Sequence, residues 1–208
     1  SQQLSQWSYW GYVFAVIGWL MGVGMWKSWG AGWFGKPTEN DPSGNWSRYL
    51  KFNTDHKVIG IQYIVTFAVV FILAGLLAML LRTELADAGQ NVLTKTDYNT
   101  TMSLHCIMMV AVAVAIMMGG FGNYVMPLLI GAEDVAFPRI NALSFWVVPP
   151  VVVLLLLSPV FGGFDTGWTA YPPLSVQTPL GGLLFELAFL TFGISSILGG
   201  LNIIATII

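Results

Sequence analysis

The sequence predicts an all-α membrane protein with five transmembrane helices, and three observations lead there. Hydrophobic residues make up 56% of the 208-residue chain and charged residues only 9%, against about 25% charged in soluble domains. So little charge cannot cover the surface of a water-soluble fold of this size. Five apolar stretches, 7–26, 58–81, 102–131, 142–161 and 178–208, are each long enough for a hydrocarbon core of about 30 Å, which takes about 20 helical residues. Segments of alternating apolar and polar residues, the mark of a membrane barrel, are absent. Helices are then the form that satisfies the backbone in lipid.

The first stretch is long, holds several Trp and Tyr residues and has no basic residue before it. It reads as a retained helix, not a signal peptide. Segment 36–45 (KPTENDPSGN) is the one plainly polar, turn-rich stretch. The chain therefore divides into an N-terminal helix with its linker, 1–45, and a body, 46–208. No internal repeat is visible. Pro and Gly inside the spans are usual for membrane helices. The single cysteine, Cys106, rules out an intrachain disulfide framework. A net charge of −2 argues against nucleic acid as a partner.

Orientation follows from the eight basic residues. Lys27, Lys36, Arg48, Lys51 and Lys57 lie between the first two spans, and Arg139 between the third and fourth. Arg82 and Lys95 follow the second span, on the other side. The positive-inside rule places the six-residue set in the cytoplasm or matrix, with the N-terminus outside. Trp146 and Trp168 fall near predicted span ends, where interfacial aromatics are expected.

Polar residues at membrane depth carry the functional information. The third span contains His105, whose imidazole is either a metal or haem-iron ligand or is hydrogen-bonded to a neighbouring helix; the spacing leaves both open. The run Gly119-Gly120-Phe121-Gly122-Asn123 allows close helix approach, with Asn123 as an amide at depth or an incidental packing residue. Asp134 and Arg139 read as loop charges. Ser195, Ser196 and Asn202 lie on the fifth span; Ser196 and Asn202 can share a face, or the hydroxyls can simply cap backbone carbonyls. Glu186 must be near an interface, paired or protonated. Arg82 closes the second span, where an arginine snorkels.

Three stretches resemble one family in order and at similar spacing: GGFGNYVMPLLIGAEDVAFPRINALSFW (119–146), TGWTAYPPLS (166–175) and SSILGGLNIIATI (195–207). The chain resembles subunit I of the haem–copper terminal oxidases, the family of cytochrome c oxidase and the bacterial quinol oxidases. The resemblance runs from Asp55-His56-Lys57-Val58-Ile59-Gly60 to the last residue. It implies that the last four spans match the first four helices of a twelve-helix core, with one extra N-terminal helix. It implies that His105 is an axial ligand of the low-spin haem, that Arg82 hydrogen-bonds the haem edge, and that Trp168 and Tyr171 lie near the propionates. Glu84 matches a position that in some members holds calcium or sodium. Asp134 matches the mouth of the D proton channel, Asn123 and Asn141 the asparagines just inside it, and Tyr63, Ser144, Ser195, Ser196 and Asn202 its polar lining.

The implied activity is reduction of oxygen to water with proton pumping, as part of a complex of the cytochrome c oxidase type. The implied low-spin haem is haem A ahead of haem B, with a high-spin haem and copper in the complete subunit. The implied partners are the remainder of subunit I, subunits II and III, oxygen, membrane lipid, and cytochrome c or quinol as donor. The expected location is the bacterial plasma membrane or the mitochondrial inner membrane. The second haem ligand and the copper ligands are expected beyond Ile208, which reads as truncation, a partial chain or a split gene; His56, in the inner loop, cannot replace them. A nitric oxide reductase relative and a non-catalytic haem-binding partner are the competing readings. His105 lies one residue nearer to the glycine run than family spacing leads one to expect. That shift turns everything beyond it by about 100° unless a bulge or tightened turn absorbs it.

Overall fold

The computed structural model describes residues 2–34 and 45–208, and of these the side chains at 2–5, 31 and 33 are not described. The linker at 36–44, with Lys36, lies outside the described residues. Among the described residues every regular element is helical. Four rods are long and apolar enough to cross a membrane: His56–Glu84, Lys95–Ile130, Pro138–Phe161 and Leu180–Ile207. The N-terminal helix α1 (Gln2–Gly22) spans 21 residues but is rich in Trp, Tyr, Gly and Gln, whose hydropathy is low. It stands beside the four as an additional helix.

A short helix α2 (Met25–Trp33) follows α1 across Gly24, at φ 95°, a conformation that favours glycine. A 3-10 turn (Trp46–Leu50) then leads to α3 (His56–Glu84). Asp55 caps α3 by accepting from the Lys57 amide at 2.8 Å. The second rod is continuous but changes winding, from α4 (Lys95–Cys106) through a π segment (Ile107–Ala113) to α5 (Val114–Ile130). The π segment lies between His105 and Gly119; a π turn takes up an extra residue, so it does not itself absorb the one-residue shortening of that interval. Gly131, at φ 72°, ends α5, and Pro138 opens α6 (Pro138–Trp146). The third rod breaks where Pro149 and Pro150 remove amide donors, and continues as α7 (Val148–Leu157) and a 3-10 turn (Ser158–Phe161). The fourth rod is α8 (Leu180–Ile207).

Successive rods alternate in direction. Asp134, in the α5–α6 connection, lies beside Asp55 and His56 at the start of α3. The inner loops thus share one end of the bundle, as the charge count requires. The core joins Ile59, Tyr63, Val70 and Ala74 of α3 to Leu104, Ile107, Met108 and Ile116 of the second rod. Trp146 departs from expectation. It is only 5% exposed and packs its ring 5.9 Å from that of Trp19 in α1. The indole is buried because α1 covers the third rod there, so Trp146 is not an interfacial aromatic.

Helices α3 and α5 approach each other closely. A Cβ on Gly60 would lie 2.7 Å from Tyr124 Cβ and 3.0 Å from its amide nitrogen. A Cβ on Gly120 would lie 2.7 Å from Ile64 Cγ1 and 3.2 Å from its amide nitrogen. Two glycines face each other's backbone, so neither helix can yield without moving as a unit. We therefore expect Gly60→Ala and Gly120→Ala each to destabilise the fold by about 1–3 kcal/mol through overpacking. Gly75→Ala on the same α3, where a Cβ meets nothing within 4 Å, is expected to leave stability unchanged or raised. Thermal unfolding in detergent compares the three; equal midpoints for Gly60→Ala and Gly75→Ala would contradict the close-approach argument.

Candidate functional site

Polar side chains at membrane depth gather at two levels. The outer level contains His105, in the last turn of α4. Thr94 caps that helix, accepting from the Asp97 amide at 3.2 Å while donating to its carboxylate at 2.6 Å. The His105 Nδ1 lies 2.9 Å from the Ala74 carbonyl of α3. A carbonyl oxygen only accepts, so Nδ1 carries a proton, and in the neutral ring Nε2 is the nitrogen with the free lone pair. The loop after the third rod reaches the same region. The Gly167 amide donates to the Ser103 hydroxyl at 3.0 Å, and a Cβ on Gly163, at φ 68°, would lie 2.5 Å from the Thr100 side chain.

That loop carries Trp168 and Tyr171, 45% and 74% exposed. Arg82, near the outer end of α3, is also exposed. Among the described residues no hydrogen bond joins Arg82, Trp168 or Tyr171 to His105. Glu84 is buried, and its two carboxylate oxygens accept from three successive amides, those of Asn91 at 3.0 Å, Val92 at 2.6 Å and Leu93 at 2.8 Å. A nest of N–H groups favours the anion directly. No group of three or more His, Cys, Asp or Glu side chains among the described residues is placed to hold a metal ion.

The inner level is built by four helices and one loop. The Phe137 amide donates to Asn202 Oδ1 at 2.8 Å and the Ala136 amide to the Thr206 hydroxyl at 3.0 Å, which fastens the α5–α6 loop to α8. Asp134 lies in that loop, half-buried, with Oδ1 on the Val135 amide at 2.8 Å. Burial pushes its carboxyl above the usual aspartate range. The Val135 and His56 amides and the His56 charge pull it back in part, and Asp55 adds repulsion.

Beyond the loop the polar groups connect. The Ser144 hydroxyl donates to the Asn141 carbonyl at 2.7 Å. The Tyr63 hydroxyl, 3.1 Å from Ser144 Oγ, is then the donor of that pair. Ser195 of α8 donates to the Ser144 carbonyl at 2.6 Å. Asn123, Asn141 and Asn202 are each 2% exposed or less. Asn123 Nδ2 donates to the Gly119 carbonyl at 2.8 Å. Asn123 Oδ1, both polar atoms of the Asn141 amide, and Asn202 Nδ2 have no protein partner. Buried polar atoms in this condition recruit ordered water.

Ser196 departs from expectation in part. It is exposed and lines a cavity of about 550 Å³ with Tyr63, Asn123 and Ser195, whereas Asn202 is buried against the loop. Six residues turn a helix by about 600°, so the two do not share a face; Ser195, seven residues before Asn202, does. The sequence reading also missed His56. It is the first residue of α3, 2% exposed, and its Nδ1 donates to the Asn123 carbonyl at 2.9 Å. Pro127, four residues on, has no N–H to offer that carbonyl. A proline four residues after a span carbonyl is a signal that can find such partners.

Comparison with known proteins follows this geometry. The profile of the family described as cytochrome C and quinol oxidase polypeptide I matches residues 58–208. Cytochrome c oxidase subunit 1 of Thermostichus vulcanus is 48% identical over 171 residues, covering 81% of this chain and 31% of that protein. Cytochrome c oxidase subunit 1 of Synechocystis sp. is 43% identical over 172 residues, covering 82% of this chain and 31% of that protein. The chain thus spans about a third of the length of these relatives. With a profile matched over most of its length and four rods able to cross a membrane, this integral membrane chain belongs to the cytochrome c and quinol oxidase polypeptide I family.

Proposed function

We propose that the chain supplies part of the catalytic subunit of a respiratory terminal oxidase, which reduces oxygen to water and pumps protons. Its share is one axial ligand of a low-spin haem and the entrance of the D proton path. The observation that carries the reading is the inner polar ladder. An acid sits in a loop, three buried amides with unpartnered atoms lie past it, and linked hydroxyls follow. A merely structural loop has no need of such a ladder.

The chain's own residues divide the work. Asp134 takes protons from inner water, and its raised affinity lets it hold one at higher pH than an ordinary aspartate. Asn123, Asn141 and Asn202 order water behind it. Ser144, Tyr63 and Ser195 extend the donor–acceptor sequence toward Ser196 and the cavity it lines. At the outer level His105 fits a haem ligand. Ala74 fixes the tautomer, and a carbonyl behind the ring raises the basicity of Nε2. Arg82 lies eight residues past Ala74 on α3, about 12 Å along the axis, which suits contact with a macrocycle edge. Trp168 and Tyr171 are carried to the same level by the loop held at Ser103.

A bound low-spin haem, haem A ahead of haem B, supplies one-electron transfer. The high-spin haem, copper, subunits II and III, and cytochrome c or quinol as donor belong to the complete enzyme. For Glu84 the amide nest supports anion stabilisation of the outer loop ahead of a calcium or sodium role.

Two substitutions test the reading in the complete oxidase. Asp134→Asn is expected to lower turnover and protons pumped per electron sharply while the haem spectrum stays normal. It should not weaken the fold at neutral pH. The folded-state affinity of Asp134 for its proton is raised, so its ionisation opposes folding as pH rises through that range, and Asn removes the cost. Normal turnover and stoichiometry in reconstituted vesicles would end the proton-path reading. His105→Ala is expected to abolish the low-spin optical band; an intact band would remove His105 as the ligand.

A further inference from the structure

The proposed function leaves the N-terminal helix unused, yet α1 makes specific contacts. Trp19 Nε1 donates to the Trp146 carbonyl at 2.9 Å. That carbonyl ends α6, and the residue four positions on is Pro150, which has no N–H. No helical donor can reach it, and lipid offers none. Trp19 therefore satisfies a carbonyl that the proline frees. Seven residues earlier, on the same face of α1, the Tyr12 hydroxyl meets the Thr191 hydroxyl of α8. Thr191 Oγ1 already donates to the Leu187 carbonyl at 2.7 Å, so Tyr12 is the donor. Leu20 is buried, and Val16 and Val23 pack against the core.

Both contacts fall beside the polar ladder. Trp146 lies two residues after Ser144, and Thr191 one helical turn before Ser195. Ser195 and Ser144 make the 2.6 Å bond that joins α8 to α6. We infer that α1 clamps α6 to α8, and that Trp19 and Tyr12 are positioning residues for the proton path. They hold the two helices at the separation at which Ser195 reaches the Ser144 carbonyl and Tyr63 reaches Ser144 Oγ. The inference rests on the proton-path reading. Without the Trp19 N–H, the Trp146 carbonyl must find another donor. The broken joint of the third rod then shifts or admits water, two residues from Ser144.

The test uses the complete oxidase in vesicles and compares Trp19→Phe, Tyr12→Phe, the double variant, Trp10→Phe and Asp134→Asn. Trp19→Phe keeps the ring and removes the donor. Trp10 is 62% exposed on α1 and serves as the control. The expected result is a severalfold slower proton uptake with fewer protons pumped per electron in the double variant, a normal haem spectrum, and no change in Trp10→Phe. Normal uptake and stoichiometry in the double variant, with Asp134→Asn slow, would overturn the clamp and leave the proton path standing. Normal uptake in Asp134→Asn would overturn the path itself, and the clamp with it. Lower yield of the double variant, with assembled enzyme that pumps normally, would show α1 to be a folding brace only and would also overturn the inference.

Discussion

The bilayer offers backbone groups no water, and the arrangement of this bundle depends on that constraint. A carbonyl without a helical donor must find one from a side chain or from ordered water. Prolines inside the rods create such carbonyls at fixed places, four residues before each ring. Pro127 frees the Asn123 carbonyl, and His56 of α3 supplies the donor. Pro150 frees the Trp146 carbonyl, and Trp19 of α1 supplies it. Pro159 removes the i+4 donor of the Leu155 carbonyl, and the Ser158 amide and hydroxyl, the latter at 2.8 Å, take its place. Two of these three repairs come from another helix; Pro149 frees a further carbonyl, that of Phe145. The prolines that weaken individual rods therefore specify which rods must touch, and at what depth.

Glycine sets the second constraint, distance. Gly60 and Gly120 let α3 and α5 approach until backbone meets backbone. Association of helices in lipid gains little from hydrophobicity and much from such packing. The close crossing places His56 under the Asn123 carbonyl and brings Tyr63 and Asn123 to the same cavity. Gly119 contributes directly: its missing Cβ leaves room for the Tyr63 ring, whose Cε1 would lie 3.2 Å away. Tight packing on one side of α3 and polar contacts at its inner end are one arrangement, read at two levels.

Much of this was legible in the sequence. Composition and span length give the helical membrane class, and the antiparallel order of the spans brings Asp134 and His56 to one end of the bundle. Tyr63 of α3, Asn141 and Ser144 of α6 and Ser195 of α8 do come together, because Asn141 and Ser144 lie one turn apart on α6 and the three rods pack. What was not legible depends on neighbours. Trp146 looked interfacial because nothing in its own span announces that α1 will cover it. Ser196 looked equivalent to Ser195 because adjacent hydroxyls differ only in which way the helix is turned. His56 looked like a loop residue because its role is fixed by a proline on another helix. The π segment at Ile107–Ala113 was not legible: the interval from His105 to the glycine run is one residue short, which calls for a tightened turn, whereas a π turn takes up an extra residue.

The energetics of the inner level bear on its chemistry. Four polar atoms of three asparagine amides are buried without a protein partner. Each such atom costs about 1–3 kcal/mol when left dry, so together they approach the whole stability of a typical domain, about 5–15 kcal/mol. A folded bundle cannot carry that cost at one end and keep the site dry. Apolar residues of similar size would remove those four atoms, but the Phe137 amide would lose its Asn202 acceptor and the Gly119 carbonyl its Asn123 donor. Half-burial and the neighbouring Asp55 both raise the proton affinity of Asp134, and the Val135 and His56 amides offset part of that rise. The polar groups at the inner end thus work against simple packing, and the close contacts of α3, α5 and α1 offset that cost.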